Sequence, residues 1–297
     1  MKSRIAPALV ASLVFSGPVA WAKSKPPAAP AAPATAAAAT PAENEWRTLD
    51  PQNVLVIDTT KGRILFELNP EVAPKAAAQV RDLARAGFYD GRGFFRVIDG
   101  FMDQTGDPTD TGTGGSTKPN LPPEFTFRRG ADTPLVVAQK ASGLETGFIG
   151  ALPVISQTMD LGLLTADQRV RAYATFCPGV GGMARASEPD SANSQFYLMR
   201  GPSPHLDQQY TPFGRAVSGL DVIRAIKIGE PVVAPLDKMT KVRVLADIPA
   251  AERPAVRVVD TRSAWFAAQV ARVAADKVIE FSMCDLDIPS QVSNPAK

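Results

Sequence analysis

Histidine is almost missing from this chain, with His205 the single one in 297 residues. A multi-histidine metal centre is thereby excluded. Cysteine is nearly as scarce. Cys177 and Cys284 are the 2 present, too distant from each other for a zinc motif. In an oxidising compartment they could pair, and a bridge closing a loop of about 100 residues would stabilise the fold by ~4–5 kcal/mol in the chain-entropy model. Whether the two thiols meet is left open by the sequence. An excess of one charge is also lacking, since 32 Lys and Arg face 30 Asp and Glu for a net +2. Neither nucleic acid nor an anionic membrane surface is implied as a partner. With 45% hydrophobic and 21% charged residues, the composition is that of an ordinary globular protein with ample core.

The start of the chain stands apart. Lys2 and Arg4 precede the apolar stretch "IAPALVASLVFSGPVA", and small residues flank Trp21 in "AWA". Residues 1–22 read as a secretory signal peptide cut after Ala22, too short and too proline-interrupted for a membrane anchor. No cysteine follows to accept a lipid. Residues 23–45 are low-complexity Ala/Pro and read as an extended, mobile linker. A secreted or periplasmic protein with no membrane anchor after cleavage is the expectation, and nothing calls for more than a monomer.

Ordered sequence is expected from Trp46. "NVLVIDTTKGRILFEL" alternates around a tight turn containing Gly62 and predicts a strand pair. Val80, Leu83 and Ala84 share one face of a predicted helix, with Gly87 as its C-cap. "FFRVIDGFMDQTGD" predicts a strand with a bulge near Gly100, placing Phe94, Arg96 and Ile98 on one face. "TPFGRAV" and "MTKVRVLADI" read as further strands, and "SGLDVIRAIKIG" as a short helix capped by Ser218. Residues 126–181 carry a weak pattern of short strands and a helix. Past Ile248, "DTRSAWFAAQVARVAADK" reads as an amphipathic helix and "KVIEFSMCDLDIP" as a strand, forming a small appendage. The whole is mainly β: strand-rich sequence with two short helices points to a closed β-barrel capped by helices. It spans residues 46–248, with 126–181 as an insertion and 249–297 as a C-terminal extension.

Arg96 is the residue that needs explaining. An arginine fixed among apolar rings costs burial energy unless it has partners, and the bland account pairs it with Asp99 or Asp107. The surrounding motifs say more. "FFRVIDGFMDQTGDPTDTGTGG" and "GMARASEPDSANSQFYLMRGPSPHLDQQYTPFGRAVSGLDVI" resemble the cyclophilin family of peptidyl-prolyl isomerases, as does the opening strand–strand–helix run. The resemblance covers residues 53–125 and 182–245.

The resemblance implies a closed eight-stranded antiparallel barrel capped by two helices, with a groove that binds an X-Pro segment of unfolded or exported polypeptides and speeds its cis/trans interconversion. Resonance sets a barrier of ~18–20 kcal/mol against rotation about the amide. No bond breaks, so no cofactor or metal is required. A guanidinium aimed at the imide nitrogen or its neighbouring carbonyl stabilises the twisted state, and apolar walls grip the ring and limit screening. By this likeness Arg96 is the donor, and Phe101 and Met102 are walls of the proline pocket. Gln104 orients the arginine or the peptide, and Gln195 lines the groove. Tyr197 stands where the family usually has phenylalanine. Ala184, Arg185 and Ala186 match a backbone segment that contacts the peptide, and Leu206 and Tyr210 match further pocket positions. His205 stands where some members carry a tryptophan that helps bind cyclosporin, which implies weak binding of that drug. The insertion of residues 126–181 is far longer than the family's connection, so it is expected either to extend client binding or to cover the site. A second reading keeps the fold as a peptide-binding or chaperone module with little catalysis.

Overall fold

The structure, a computed structural model, describes residues 40–276 and 281–293. The predicted signal peptide and the linker up to residue 39 lie outside the described residues.

In chain order, β1 (Trp46–Thr48) is followed by β2 (Val54–Thr59), β3 (Gly62–Leu68) and the helix α1 (Pro74–Arg85). Next come β4 (Arg96–Ile98), β5 (Met102–Thr105), β6 (Phe127–Arg129), β7 (Val136–Ala141), β8 (Leu144–Ile149), β9 (Leu152–Gln157) and β10 (Val170–Ala174). Then follow β11 (Val180–Met183), β12 (Phe196–Met199), β13 (Pro212–Ser218), α2 (Leu220–Ala225) and β14 (Met239–Val244). The chain ends with β15 (Ala255–Val259), α3 (Ala264–Asp276) and β16 (Ser290–Ser293).

Eight of these strands form one curled antiparallel sheet in the order β14-β2-β3-β13-β11-β12-β5-β4. The expected closed barrel is corrected here. Edge strands β4 and β14 share no ladder, and the seam is bridged by isolated backbone contacts, such as Gly93 with Lys238 and Val97 with Gly229. A three-residue β4 is too short to pair along β14, so irregular backbone spans the gap.

Both predicted helices pack their apolar faces into the sheet's concave side. Ala76, Ala77, Val80, Leu83 and Ala84 of α1 and Ile223 of α2 join Leu55, Ile57, Ile64 and Phe66 in one core. The α1 terminus follows the sequence expectation. Gly87 has φ 67°, and the Phe88 and Gly87 amides donate to the carbonyls of Leu83 and Ala84 at 3.0 and 3.1 Å. That double bond is a Schellman close, which needs a left-handed residue and so favours glycine. At α2 the cap is Gly219, with φ 89° and no side-chain bond, and Ser218 remains the last residue of β13.

The run read as one bulged strand is a hairpin. Gly100, at φ 66°, turns the chain so that Arg96 pairs with Gln104, Val97 with Asp103 and Ile98 with Met102. Phe94 precedes β4 and points into the main core beside Val97, so it does not share the face of Arg96.

The insertion folds as a five-stranded antiparallel sheet, β6-β10-β9-β8-β7. None of the apolar runs there is helical: "TADQRVRAYATF" carries β10, where Val170, Ala172 and Ala174 alternate inward, and a 3-10 segment, Met159–Leu164, precedes it. The tight β8–β9 turn docks on the main sheet. Asn69 Nδ2 donates to Ile149 O at 2.7 Å, and the Ala151 amide donates to Glu67 at 3.0 Å. The same Glu67 receives both Arg47 Nη groups, at 2.7 and 2.8 Å.

That contact belongs to a third sheet, β1-β15-β16. The boundary drawn at residue 46 is corrected accordingly, because β1 pairs with the C-terminal extension. The ordered chain also starts earlier, as Glu43–Glu45 form a 3-10 turn and Glu43 pairs with Arg257. The predicted helix appears as α3. The segment read as a strand does not form one where described: Met283–Asp285 is a 3-10 turn, and β16 lies beyond it. Residues 277–280 lie outside the described residues. Cys284 is bonded to Cys177 across 107 residues, which ties the extension to the end of the insertion. A second apolar core lies between these parts. It joins Val54, Val56 and Leu65 of the sheet's outer face to Phe148 of the insertion and to Val256, Val258, Phe266 and Met283 of the extension. This explains why "VLVI" in β2 is buried at every position rather than alternately.

Candidate functional site

The β4–β5 hairpin, the start of the segment after β11 and the turn after β12 converge on one shallow pocket of about 120 Å³. Arg96, Phe101, Met102, Gln104, Ala184, Arg185, Tyr197, Leu206 and Tyr210 line it. The remaining two predicted site residues, Ala186 and Gln195, line an adjoining pocket of about 380 Å³ together with Gly112, Thr113 and Gly114. All the residues singled out from the sequence therefore meet along one groove. A wider groove of about 820 Å³ lies elsewhere, between β1 and β15–β16, and holds none of them.

A chain of hydrogen bonds runs along this groove. Arg96 Nη1 donates to Gln104 Oε1 at 3.3 Å, and Gln104 Nε2 donates to Gln195 Oε1 at 3.0 Å. Gln195 Nε2 in turn donates to the carbonyls of Gly112 and Gly114, at 3.0 and 2.8 Å. Those glycines belong to a loop wound around Asp107. The amides of Thr109, Thr111, Gly112 and Gly114 all donate to the Asp107 carboxylate. Burial alone would raise the pKa of this group, but the donors from Thr109, Gly114 and Gly112 outweigh it and hold the carboxyl at about 2. Gly112 is needed for its φ of 88°, and Gly114 for space. A Cβ on Gly114 would stand 2.1 Å from Asp107 Oδ1.

Neither carboxylate offered from the sequence pairs with Arg96. Asp107 organises the loop just described, and Asp99 lies 3.4 Å from Arg200. The partner is Glu230, whose Oε1 accepts from Arg96 Nε at 2.6 Å. Sequence reasoning missed it because it sits 134 residues away in a Gly/Pro loop with no periodicity. Arg96 keeps 37% of its side chain exposed, on the groove side. On the opposite face of β5, Asp103 and Arg200 form a buried pair at 2.9 Å, and Arg200 also donates to carbonyls around the end of α2. Burial pushes the Asp103 carboxyl up, against the pull of Arg200.

The pocket floor is apolar and extends backward into the insertion. Met102, Tyr197 and Leu206 share a cluster with Ile149, Leu152, Val154, Ala174 and Phe176. The Phe176 ring lies 5.9 Å from that of Tyr197. No residue of 126–181 lines either pocket, so the insertion backs the groove and does not cover it. Tyr197 places its ring in the pocket wall, but its hydroxyl is buried without a hydrogen-bond partner among the described residues. Burial holds its phenol well above the usual range. Arg185 lies over the rings of Tyr210 and Phe125, at 4.6 and 5.6 Å, while its Nε and Nη1 donate to backbone carbonyls. His205 stacks near Phe101 at 5.7 Å and stays exposed.

A curled antiparallel sheet that sets a guanidinium at the rim of a small pocket, beside Phe101, Met102 and Leu206, has the form of a peptide-binding groove. Comparison with known proteins narrows the class. The profile of the family described as "Cyclophilin type peptidyl-prolyl cis-trans isomerase/CLD" matches residues 54–245. A probable peptidyl-prolyl cis-trans isomerase of Brucella suis biovar 1 is 33% identical over 213 residues, which are 67% of this chain and 85% of the relative. Peptidyl-prolyl cis-trans isomerase B of Bacillus subtilis is 32% identical over 182 residues, 61% of this chain and 90% of the relative. Among solved structures, cyclophilin AquaCyp293 from Hirschia baltica superposes with a TM-score of 0.78 at 35% identity, covering 85% of this chain and 95% of that one. The chain belongs to the cyclophilin family of peptidyl-prolyl cis-trans isomerases.

Proposed function

We propose that this isomerase acts on X-Pro bonds of exported polypeptides in the periplasm, with Arg96 as the donor to the twisting imide. The observation that carries the reading is the position of Arg96. Its guanidinium edges a pocket walled by Phe101, Met102, Leu206 and the Tyr197 ring, where a donor fixed before the reaction acts at low local dielectric. The proline ring seats on Met102 and Leu206. Gln104 orients the guanidinium, and Gln195 with the backbone of 184–186 holds the peptide beyond the ring. No proton moves, so His205 has no acid–base part.

Export is supported by residues 1–22 and by the Cys177–Cys284 bond, which belongs in an oxidising compartment. Among the described residues no helix is long and apolar enough to cross a membrane.

A protease-coupled assay on a proline tetrapeptide tests the site. Arg96→Ala is expected to lose about 100-fold in kcat/KM, the usual cost of removing one preorganised donor, with an unchanged melting temperature. A variant at full rate would remove Arg96 from the reaction. Fractionation with N-terminal sequencing tests export, with a mature chain starting at Lys23 in the periplasmic fraction as the expected result.

A further inference from the structure

Arg96 is gripped from two sides. Gln104 accepts from Nη1 across the hairpin, and Glu230 accepts from Nε at 2.6 Å. The Glu230 side comes from a loop, residues 227–237, that lies against β4. Gly229 exchanges two backbone bonds with Val97, at 2.8 and 2.9 Å, and the Val232 amide donates to Phe95 O at 2.9 Å. Glu230 is thus held between two anchor points, Val97 on the strand that carries Arg96 and Phe95 immediately before it. The loop is also closed on itself. Asp237 accepts from the Lys227 amide and from Thr60 Oγ1, and Lys227 Nζ donates to Val233 O. At Gly229 a Cβ would stand 2.6 Å from Val232 Cα, so the turn that presents Glu230 has room only for glycine.

Glu230 does not line the proline pocket. Its carboxylate takes Nε and leaves Nη1 to Gln104, so the guanidinium is held at the pocket rim from two sides. We propose that Glu230 is a positioning residue for the isomerisation: it fixes the rotamer of Arg96 so that the guanidinium already faces the imide when the peptide arrives. This rests on the reading of Arg96 as the donor. An arginine with 37% of its side chain exposed has rotamer freedom to lose, and an orientation already set keeps that loss out of the reaction step. An ion pair this exposed contributes little to stability, so its effect belongs in the rate.

The test is steady-state kinetics and thermal unfolding of Glu230→Ala, Glu230→Gln, Arg96→Ala and the Arg96→Ala/Glu230→Ala double variant. Glu230→Ala is expected to lower kcat about tenfold, with KM within about twofold and the melting temperature unchanged. Glu230→Gln, which still offers an acceptor to Nε, should recover most of kcat. In the Arg96→Ala background the second substitution should change nothing. A wild-type or raised kcat in Glu230→Ala, or a Glu230→Gln variant as slow as the alanine, overturns the proposal. Arg96→Ala at full rate sinks instead the reading of Arg96 on which it rests.

Discussion

The hairpin β4–β5 with its following loop lines the pocket, whereas the insertion of residues 126–181 packs behind the pocket wall. The hairpin presents a polar relay, in which Arg96, Gln104 and Gln195 lead to a glycine loop gathered on Asp107. The insertion presents Phe176, Val154 and Ala174, packed behind Tyr197 and Met102. Under the proposed function one side offers directed donors to a peptide, and the other backs the pocket wall with a packed apolar layer. An enzyme that only has to stabilise a twisted bond needs both, since a donor displaced by an ångström is largely wasted.

The sharpest way to break this division is to hollow the backing. Phe176 is fully buried against the pocket wall. Phe176→Ala is expected to cost about 3–5 kcal/mol of unfolding free energy, read in urea titration. It should also raise KM for a proline peptide more than it lowers kcat, because the Tyr197 ring loses its neighbour. A lost stability with unaltered KM would reduce the insertion to added mass.

On the polar side, Asp107 has a folded pKa of about 2 against an ordinary 3.8. Its contribution, about 2 kcal/mol, is present above pH ~4 and lost as pH falls through its folded value. Asp107→Asn should therefore flatten the loss of stability between pH 5 and pH 2 by about that amount. Its kcat at neutral pH should drop as Gly112 and Gly114 release Gln195. An unchanged pH profile would show that the loop stands without the carboxylate.

The smallest expected effect lies where the two sides touch. The Tyr197 hydroxyl is buried and unpartnered among the described residues, which costs roughly 1–3 kcal/mol. Tyr197→Phe keeps the ring and should raise stability by about 1 kcal/mol, with isomerase activity retained. A destabilised variant would mean that the hydroxyl has found a partner.

The legible part of the molecule was local. Strand alternation in β2–β3, the apolar face and glycine close of α1, and the motif residues of the groove all follow from near neighbours along the chain. Gly100 shows the limit even there, because a glycine that permits a bulge equally permits a full turn, and the chain chose the turn. The insertion offered only short apolar runs, which suit a strand or a buried helix alike.

Chemistry and local geometry were written in the order of residues: a guanidinium, apolar rings and a glycine loop, in a family pattern. Tertiary structure alone decided what lies across long loops. It paired β1 with β15, bonded Cys177 to Cys284, left β4 and β14 without a common ladder and brought Glu230 to Arg96. Such contacts depend on closing loops of a hundred residues or more, and their cost grows so slowly with length that sequence distance hardly discriminates among partners. Only packing of the shared cores selects them.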